Sequence, residues 1–148
     1  MAAGFTGPTV NRVVMDTCVV SLMFRGDDRA DYYKARIAGL SPCISFQTLE
    51  ELWFGACTTD WGARRKNDLA RHLEQYDVVW PTEELVEVYA QLRCARQLAG
   101  RRLMTADAWI AATALMLKCP LASHDRDFHG ISDLNLIRKD PFIPTLPV

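Results

Sequence analysis

The sequence predicts an α/β fold with a mainly parallel central sheet, and two observations support this prediction. Short apolar, β-rich runs alternate along the chain with longer segments of helical periodicity, which is the pattern of successive βαβ units. The chain has 148 residues, of which 49% are hydrophobic and 24% are charged, so it has ordinary globular composition and enough length for one core. We therefore expect three α/β/α layers in a single domain, 1–148. Its core spans about 12–140, between a flexible N-terminal segment and a proline-rich C-terminal tail.

The first half of the chain predicts two strands, each followed by a pair of helices. Residues 12–15 form the first predicted strand, and a helix begins near Thr17. The segment "DRADYYKARIAG" predicts a second helix, which Gly39 ends. The second strand is "PCIS", after which Ser45 caps the helix of "FQTLEELWFGA". The charged segment "ARRKNDLARHLEQY" has the apolar spacing of a further helix.

The second half continues the same alternation. "DVVW" predicts the third strand, and Pro81 and Thr82 open the long helix "EELVEVYAQLRCARQLA", which Gly100 ends. A helix over about 105–118 follows, then the strand "PLAS", the acidic loop "HDRDFHG" and a last strand around 134–137. The predicted order is β-α-α-β-α-α-β-α-α-β-β.

Charge, cysteines and hydropathy narrow the class of protein. The formal net charge of -1 argues neither for nor against a nucleic-acid partner, because it can hide an acidic site beside basic ridges. Five cysteines with no CxxC pair indicate reduced thiols, and His124 and His129 lack the neighbours that a zinc site needs. The longest apolar stretch, "WIAATALML", is about half the ~20 residues of a membrane span, and no signal peptide is evident. We expect a soluble, cytoplasmic protein.

Carboxylates follow the predicted strands or begin the helices in four segments. The carboxyl ends of parallel strands line one edge of an open sheet, where ligand crevices form. Carboxylates gathered there repel one another unless they are protonated or share a hard cation, so Mg²⁺ or Mn²⁺ is the expected cofactor. Such an ion suits hydrolysis of a phosphate ester because it stabilises the developing charge. The acids are Asp16, Glu50 or Glu51, Asp107, Asp125 and Asp127.

Each acid also has a purely structural interpretation. Asp16 is a suitable N-cap for the helix that follows it, and Thr48 with Glu51 has the spacing of a capping box. Glu50 is expected to be solvated, because adjacent helical residues point about 100° apart and only one can face the crevice. Asp107 suits a solvated cap poorly, since its neighbours are apolar. The coincidence of all the acids favours a functional site.

Four blocks of sequence carry these acids: "VVMDTCVV", "ISFQTLEELWFGA", "GRRLMTADAWIAATAL" and "LASHDRDFHGI". In this order they resemble the acidic blocks of the PIN-domain ribonucleases, most closely the VapC-type toxins of toxin-antitoxin pairs, over about residues 12–137. The resemblance implies a PIN-like fold, Mg²⁺- or Mn²⁺-dependent endoribonuclease activity on RNA, a homodimer and inhibition by a small VapB-like antitoxin. Trp53, Phe54 and Trp61 are candidates for a partner surface, but core packing is the expectation for Trp53 and Phe54.

The resemblance also implies roles for individual residues. The acids that catalyse and hold metal fall on Asp16, Glu51, Asp107 and Asp125, with Asp127 as a nearby metal ligand. Glu51 is chosen over its neighbour because the family's glutamate precedes the leucine of "EL".

Four further residues are expected to contact the substrate. Thr17 and Ser123 occupy positions where the family often has a hydroxyl close to the metal site, and Arg102 and Arg126 are the basic residues nearest the acids. One position departs from the family, which commonly has Asn or Ser two residues after its first aspartate. Cys18 stands there, and since a thiol is a poor ligand for Mg²⁺, the polar contact usually made at this place is expected to be weakened or lost.

Other interpretations remain open at this point. A haloacid-dehalogenase-type phosphatase would need an aspartate in place of Cys18, and a receiver domain would need one after the third strand, where the chain has "VVWPTEE". A solitary RNA-processing PIN nuclease, and an inactive PIN fold that only binds RNA or protein, are the closer alternatives.

Overall fold

The central sheet consists of five parallel strands in the computed structural model, which describes residues 11–139. In spatial order they run β3-β2-β1-β4-β5. The strands are β1 (Arg12–Met15), β2 (Ser41–Ser45), β3 (Asp77–Val79), β4 (Leu121–Ala122) and β5 (Leu136–Ile137). The predicted N-terminal segment and proline-rich tail lie outside the described residues, apart from their boundaries with the core.

Six α-helices connect these strands within residues 11–139. They are α1 (Thr17–Arg25), α2 (Ala30–Ile37), α3 (Phe46–Thr58), α4 (Ala63–Leu73), α5 (Glu83–Leu98) and α6 (Thr105–Leu117). The order agrees with the predicted order, except that a short 3₁₀ turn, Arg126–Phe128, lies in the acidic loop. None of the helices in this part of the chain is long and apolar enough to cross a membrane.

The last strand is shorter than predicted. It begins at Leu136 rather than near Leu134, whose N–H donates to the carbonyl of Ile131 at 3.3 Å. Asp133 adopts a positive φ of 65° in the same turn. Leu134 therefore ends a turn, although its apolar character resembled that of a strand residue.

Alternating side chains along β1 divide the core into two clusters. Val13 and Met15 pack with helices α1 to α4 on one face of the sheet. Val14 packs on the other face with α5, α6 and Phe128 of the 3₁₀ turn. The predicted three-layer α/β/α arrangement is confirmed, with the sheet covered by helices on both sides.

Helix α3 presents only one side to the core. Leu52 and Ala56 are buried, whereas Trp53 is 37% exposed and Phe54 is 61% exposed. Successive helical residues point about 100° apart, so the neighbours of a buried leucine fall on the outer side. The expected core packing of Trp53 and Phe54 is therefore wrong.

The strand order changes direction beside β1. The chain passes from β1 to β2 and β3 on one side, then returns to form β4 and β5 on the other. Ligand sites of open α/β sheets form at such a switch point, outside the carboxyl ends of the strands. Asp16 directly follows β1, and Ser123 directly follows β4.

Candidate active site

Three aspartates lie close together at this edge of the sheet. Asp107 is in the first turn of α6, and Asp125 and Asp127 belong to the loop with the 3₁₀ turn. One carboxylate oxygen from each lies within 4.8 Å of the other two. Two of the four acidic segments that were expected to meet therefore do meet, and their carboxylates are close enough together to bind one small cation.

Asp16 directly follows strand β1 and is the N-cap of helix α1. Its side chain is only 5% exposed. Oδ1 accepts from the backbone N–H of Thr17 at 2.8 Å, and Oδ2 accepts from the hydroxyl of Ser123 at 2.7 Å and the thiol of Cys18 at 3.1 Å. Burial raises the pKa of Asp16, while these hydrogen bonds oppose the rise. The N-cap interpretation is confirmed, and a role of the same carboxylate in a metal site stays a prediction.

Ser123 links the two central strands through its hydroxyl. The oxygen accepts from the backbone N–H of Asp125 at 3.0 Å while its proton goes to Asp16. The residue is fully buried. The hydroxyl therefore links the carboxylate of Asp16 to the backbone of Asp125, and contact between Ser123 and a substrate stays a prediction.

Cys18 makes a polar contact with Asp16, and the expected effect of a thiol at this position on a metal site stays a prediction. Its thiol donates to Asp16 and lies 3.8 Å from the hydroxyl oxygen of Ser123. Burial, followed by the nearby charge of Asp16, raises the pKa of Cys18 to about 12. The thiol therefore remains protonated and can serve as a hydrogen-bond donor near neutral pH.

Glu51 lies on the second turn of α3, one strand away from Asp16. The side chain of Ser45 accepts from Gln47 and caps this helix, which begins at Phe46. The capping-box interpretation of Thr48 and Glu51 is therefore wrong: Thr48 is buried inside the helix, and its hydroxyl accepts from Thr17 at 3.1 Å.

The charge of Glu51 is affected by burial and by neighbouring acids. Burial raises its pKa first, and the charges of Asp16 and Glu50 add to the rise. Gln47 donates to Glu51 at 3.4 Å and to Glu50 at 3.3 Å. This contact was missed in the sequence, although the i, i+4 spacing of Gln47 and Glu51 was a usable signal. Glu50 is exposed, as expected.

The pKa of Asp107 is affected by the other acids of the group. Its pKa is raised to about 7, first by burial and then by repulsion from the other carboxylates. A cation among them would relieve this repulsion, and a donor set made of carboxylate oxygens suits Mg²⁺ or Mn²⁺. The repelling groups are Asp125, Asp16, Asp127 and Glu51.

The predicted basic residues belong to the same two segments as Asp107 and the loop aspartates. Arg126 is exposed within the 3₁₀ turn, between Asp125 and Asp127, and Arg102 is exposed in the segment that leads into α6. Thr17 is partly exposed beside Asp16. Contact of these three side chains with a substrate stays a prediction.

A sizeable groove in the described part of the chain lies elsewhere. It has a volume of about 750 Å³ and lies between α5, α6 and the turn before β5, with Arg96, Lys118 and Asn135 in its lining. Lys118 and Asn135 lie near the amino ends of β4 and β5, at the edge opposite to the acids. The groove lacks the group of carboxylates that is found at the acidic edge, so we take the acidic edge as the candidate site.

The chain is similar in sequence to known proteins. Residues 13–134 match the sequence profile of the PIN domain. Ribonuclease VapC4 of Mycobacterium tuberculosis is 27% identical over 130 residues, which are 86% of this chain and 97% of that protein.

Solved structures show the same likeness. VapBC-5 of M. tuberculosis has 28% identity and a TM-score of 0.65, over 86% of this chain and 98% of that chain. VapBC-1 of nontypeable Haemophilus influenzae has 25% identity and a TM-score of 0.69, over 85% and 96%. VapBC2 of Rickettsia felis, bound to a DNA fragment from its promoter, has 19% identity and a TM-score of 0.78, over 86% and 98%.

Proposed function

The chain belongs to the PIN-domain family, and from this premise we propose that it is a divalent-metal-dependent endoribonuclease, acting in the cytoplasm as the toxin of a toxin-antitoxin pair. The whole chain, with a core of about 12–140, is proposed to be one PIN domain. The likeness to a curated ribonuclease supports the substrate class. The observation that carries the proposal is the proximity of Asp107, Asp125 and Asp127, each of which places a carboxylate oxygen within 4.8 Å of the other two.

The proposed metal ligands are the acids at the carboxyl edge of the sheet. Asp107, Asp125 and Asp127 are mutually close, and Asp16 and Glu51 both act on the charge of Asp107. The donor set is oxygen only, which fits Mg²⁺ or Mn²⁺. When bound, such an ion supplies Lewis-acid stabilisation of the charge that develops on a phosphodiester.

The chain's own side chains orient the acids and attract the RNA. Ser123 holds Asp16 and the backbone of Asp125 in one arrangement, so two ligands from different strands are fixed relative to each other. Arg102 and Arg126 supply positive charge near the acids, and phosphate contacts of this kind weaken as salt concentration rises. Thr17 is proposed as a further contact to the substrate.

The proposed protein partners are a second copy of this chain and an antitoxin, and the likeness to solved structures supports both. The solved VapBC-5 is described as a member of the VapBC family of toxin-antitoxin systems, and we propose that this chain forms a homodimer and is inhibited by a small VapB-like antitoxin. An antitoxin would cover the acidic crevice, where an arginine can pair with carboxylates in two parallel hydrogen bonds. The exposed Trp53 and Phe54 provide an apolar surface for one of these contacts.

The first test is cleavage of total RNA by the purified chain with and without EDTA. We expect cleavage with Mg²⁺ or Mn²⁺, none with EDTA, and recovery when the metal is added back. The substitution Asp107→Asn should lower the rate by roughly a hundredfold or more, since the metal contributes several kcal/mol to transition-state stabilisation. Asp133→Asn is the matched control, because Asp133 is exposed in a turn away from the acids and asparagine tolerates its positive φ.

The alternatives give different results in this test. RNA binding without cleavage, in either metal, would favour the inactive PIN fold. Cleavage by Asp107→Asn at the rate of the unsubstituted chain would remove Asp107 from the site. A nuclease that cleaves but has no antitoxin encoded beside it would favour the solitary RNA-processing enzyme.

A further inference from the structure

The carboxylate of Asp16 accepts three hydrogen bonds, and they are divided unequally between its oxygens. Oδ1 accepts one, from the backbone N–H of Thr17 at 2.8 Å. Oδ2 accepts two, from Ser123 at 2.7 Å and from Cys18 at 3.1 Å. Each carboxylate oxygen offers about two lone-pair sites, so among residues 11–139 the bonds fill Oδ2 and leave one site on Oδ1.

The two donors to Oδ2 lie next to each other, and the orientation of the Ser123 hydroxyl is set by its own partners. Ser123 accepts from the N–H of Asp125 at 3.0 Å, so its own proton is directed to Asp16. Cys18 is on the first turn of α1, and its sulfur lies 3.8 Å from the oxygen of Ser123. The donors therefore approach Oδ2 side by side. Cys18 comes from the first turn of α1, after β1, and Ser123 comes from the residue after β4.

We infer that Cys18 is a positioning residue, whose thiol works with the hydroxyl of Ser123 to saturate Oδ2 of Asp16 and so restrict a bound divalent cation to Oδ1. This inference rests on the metal site of the proposed function. It gives a specific role to the one position that departs from the family's usual Asn or Ser. The thiol acts as a donor to Asp16 and not as a ligand, since hard cations prefer oxygen.

The role follows from how a second layer of donors acts on a ligand. A carboxylate that is held by hydrogen bonds presents its free lone pair in one direction, and the loss of such a partner commonly costs 10- to 100-fold in metal affinity, as an order of magnitude. Without the thiol, the buried Oδ2 would lack one partner, and the Asp16 carboxylate could rotate away from the orientation that suits the cation.

The test measures binding of Mn²⁺ to the full chain by the loss of the free-ion signal in electron paramagnetic resonance. Cys18→Val keeps most of the volume but has no donor, and it should weaken Mn²⁺ binding about 10- to 100-fold. Cys18→Ser restores a donor and should bind Mn²⁺ within a few-fold of the unsubstituted chain. Cys57→Ala, at an exposed cysteine of α3, is the control and should leave binding unchanged.

Two measurements on the unsubstituted chain keep the inference testable if Cys18→Val does not fold. The infrared S–H stretch that disappears in Cys18→Ser should lie at the lowered frequency of a thiol bonded to a carboxylate. A crystal structure with Mn²⁺ should show the ion on Oδ1 of Asp16. An S–H band at the frequency of an unbonded thiol, or Mn²⁺ on Oδ2, would overturn the inference.

The outcomes separate this inference from the proposed function. Neither Mn²⁺ binding nor the infrared band requires RNA. If the chain shows these signatures but cleaves no RNA, the ribonuclease proposal fails and the role of Cys18 stands. If Cys18→Val binds Mn²⁺ as tightly as the unsubstituted chain, the role of Cys18 fails alone. A chain that binds no Mn²⁺ at all would overturn both.

Discussion

At the scale of single residues, Asp107 shows what the gathering of acids does to one carboxyl group. Its ordinary pKa of 3.8 is raised to about 7 by burial and by four neighbouring carboxylates. The pKa values of Asp16 and Glu51 are raised as well, again chiefly by burial. At a pH between its ordinary and its raised pKa, the carboxyl group of Asp107 is protonated to a larger extent than a free one. A cation that binds there has to displace this proton.

This protonation gives the metal-free chain a pH-dependent stability. Between about pH 4 and pH 7 the folded state binds more protons at Asp107 than the unfolded state, so the free energy of unfolding should fall as pH rises through that interval. Asp107→Asn removes this contribution and should make the dependence shallower, with a residual slope from Asp16 and Glu51. Urea unfolding in EDTA at several pH values measures it, and equal slopes for both proteins would contradict the raised pKa.

At the scale of elements, the acidic loop is held by one aromatic side chain. Phe128 ends the 3₁₀ turn and is fully buried in the cluster formed with α5 and α6. Asp125 caps the same turn by accepting from the N–H of Asp127 at 2.9 Å. The loop carries two proposed ligands, so its position depends on a core residue that has no chemistry of its own.

Truncation of this anchor should affect both stability and metal binding. Phe128→Ala should lower the free energy of unfolding by about 3 to 5 kcal/mol, the usual cost of removing a buried aromatic ring, and should weaken Mn²⁺ binding because the loop shifts. Phe54→Ala, at a ring that is 61% exposed, should change stability by only about 0.5 kcal/mol. Urea denaturation compares them, and similar losses for the two variants would show that Phe128 does not anchor the loop.

At the scale of the whole molecule, the outer side of α3 is an apolar surface without a partner among the described residues. Trp53 and Phe54 are adjacent, and both are exposed to solvent. Adjacent exposed aromatic side chains are typical of protein interfaces. This surface is our candidate for the contact between two copies of the chain in the proposed homodimer.

A charge placed on this surface should separate the copies. We expect light scattering after size-exclusion chromatography to give a dimer for the unsubstituted chain and a monomer for Phe54→Glu, because a carboxylate is costly in an apolar contact. Lys34→Glu, an exposed charge reversal on α2, should remain dimeric. If Phe54→Glu is dimeric as well, the contact between copies lies on another face, and the antitoxin becomes the better candidate for α3.

Much of the architecture was predictable because its signals are local. Apolar periodicity, caps and turn residues act over a few positions, and they predicted the order of the strands and helices. The four acidic blocks are also local, and their resemblance to PIN-domain ribonucleases is confirmed by the match over residues 13–134. The position of Asp16 at the end of β1 and of Asp107 at the start of α6 followed directly from such patterns.

Tertiary structure decided which atoms of those residues are available. Ser123 lies 107 residues from Asp16, yet its buried hydroxyl saturates the same oxygen as the thiol of Cys18. Trp53 is likewise exposed because its neighbour in α3, Leu52, is the residue that packs into the core. The sequence by itself determined the elements and the acids, because these depend on near neighbours. Only the packed fold decided burial, hydrogen-bond direction and pKa, because these depend on groups that folding brings together from distant parts of the chain.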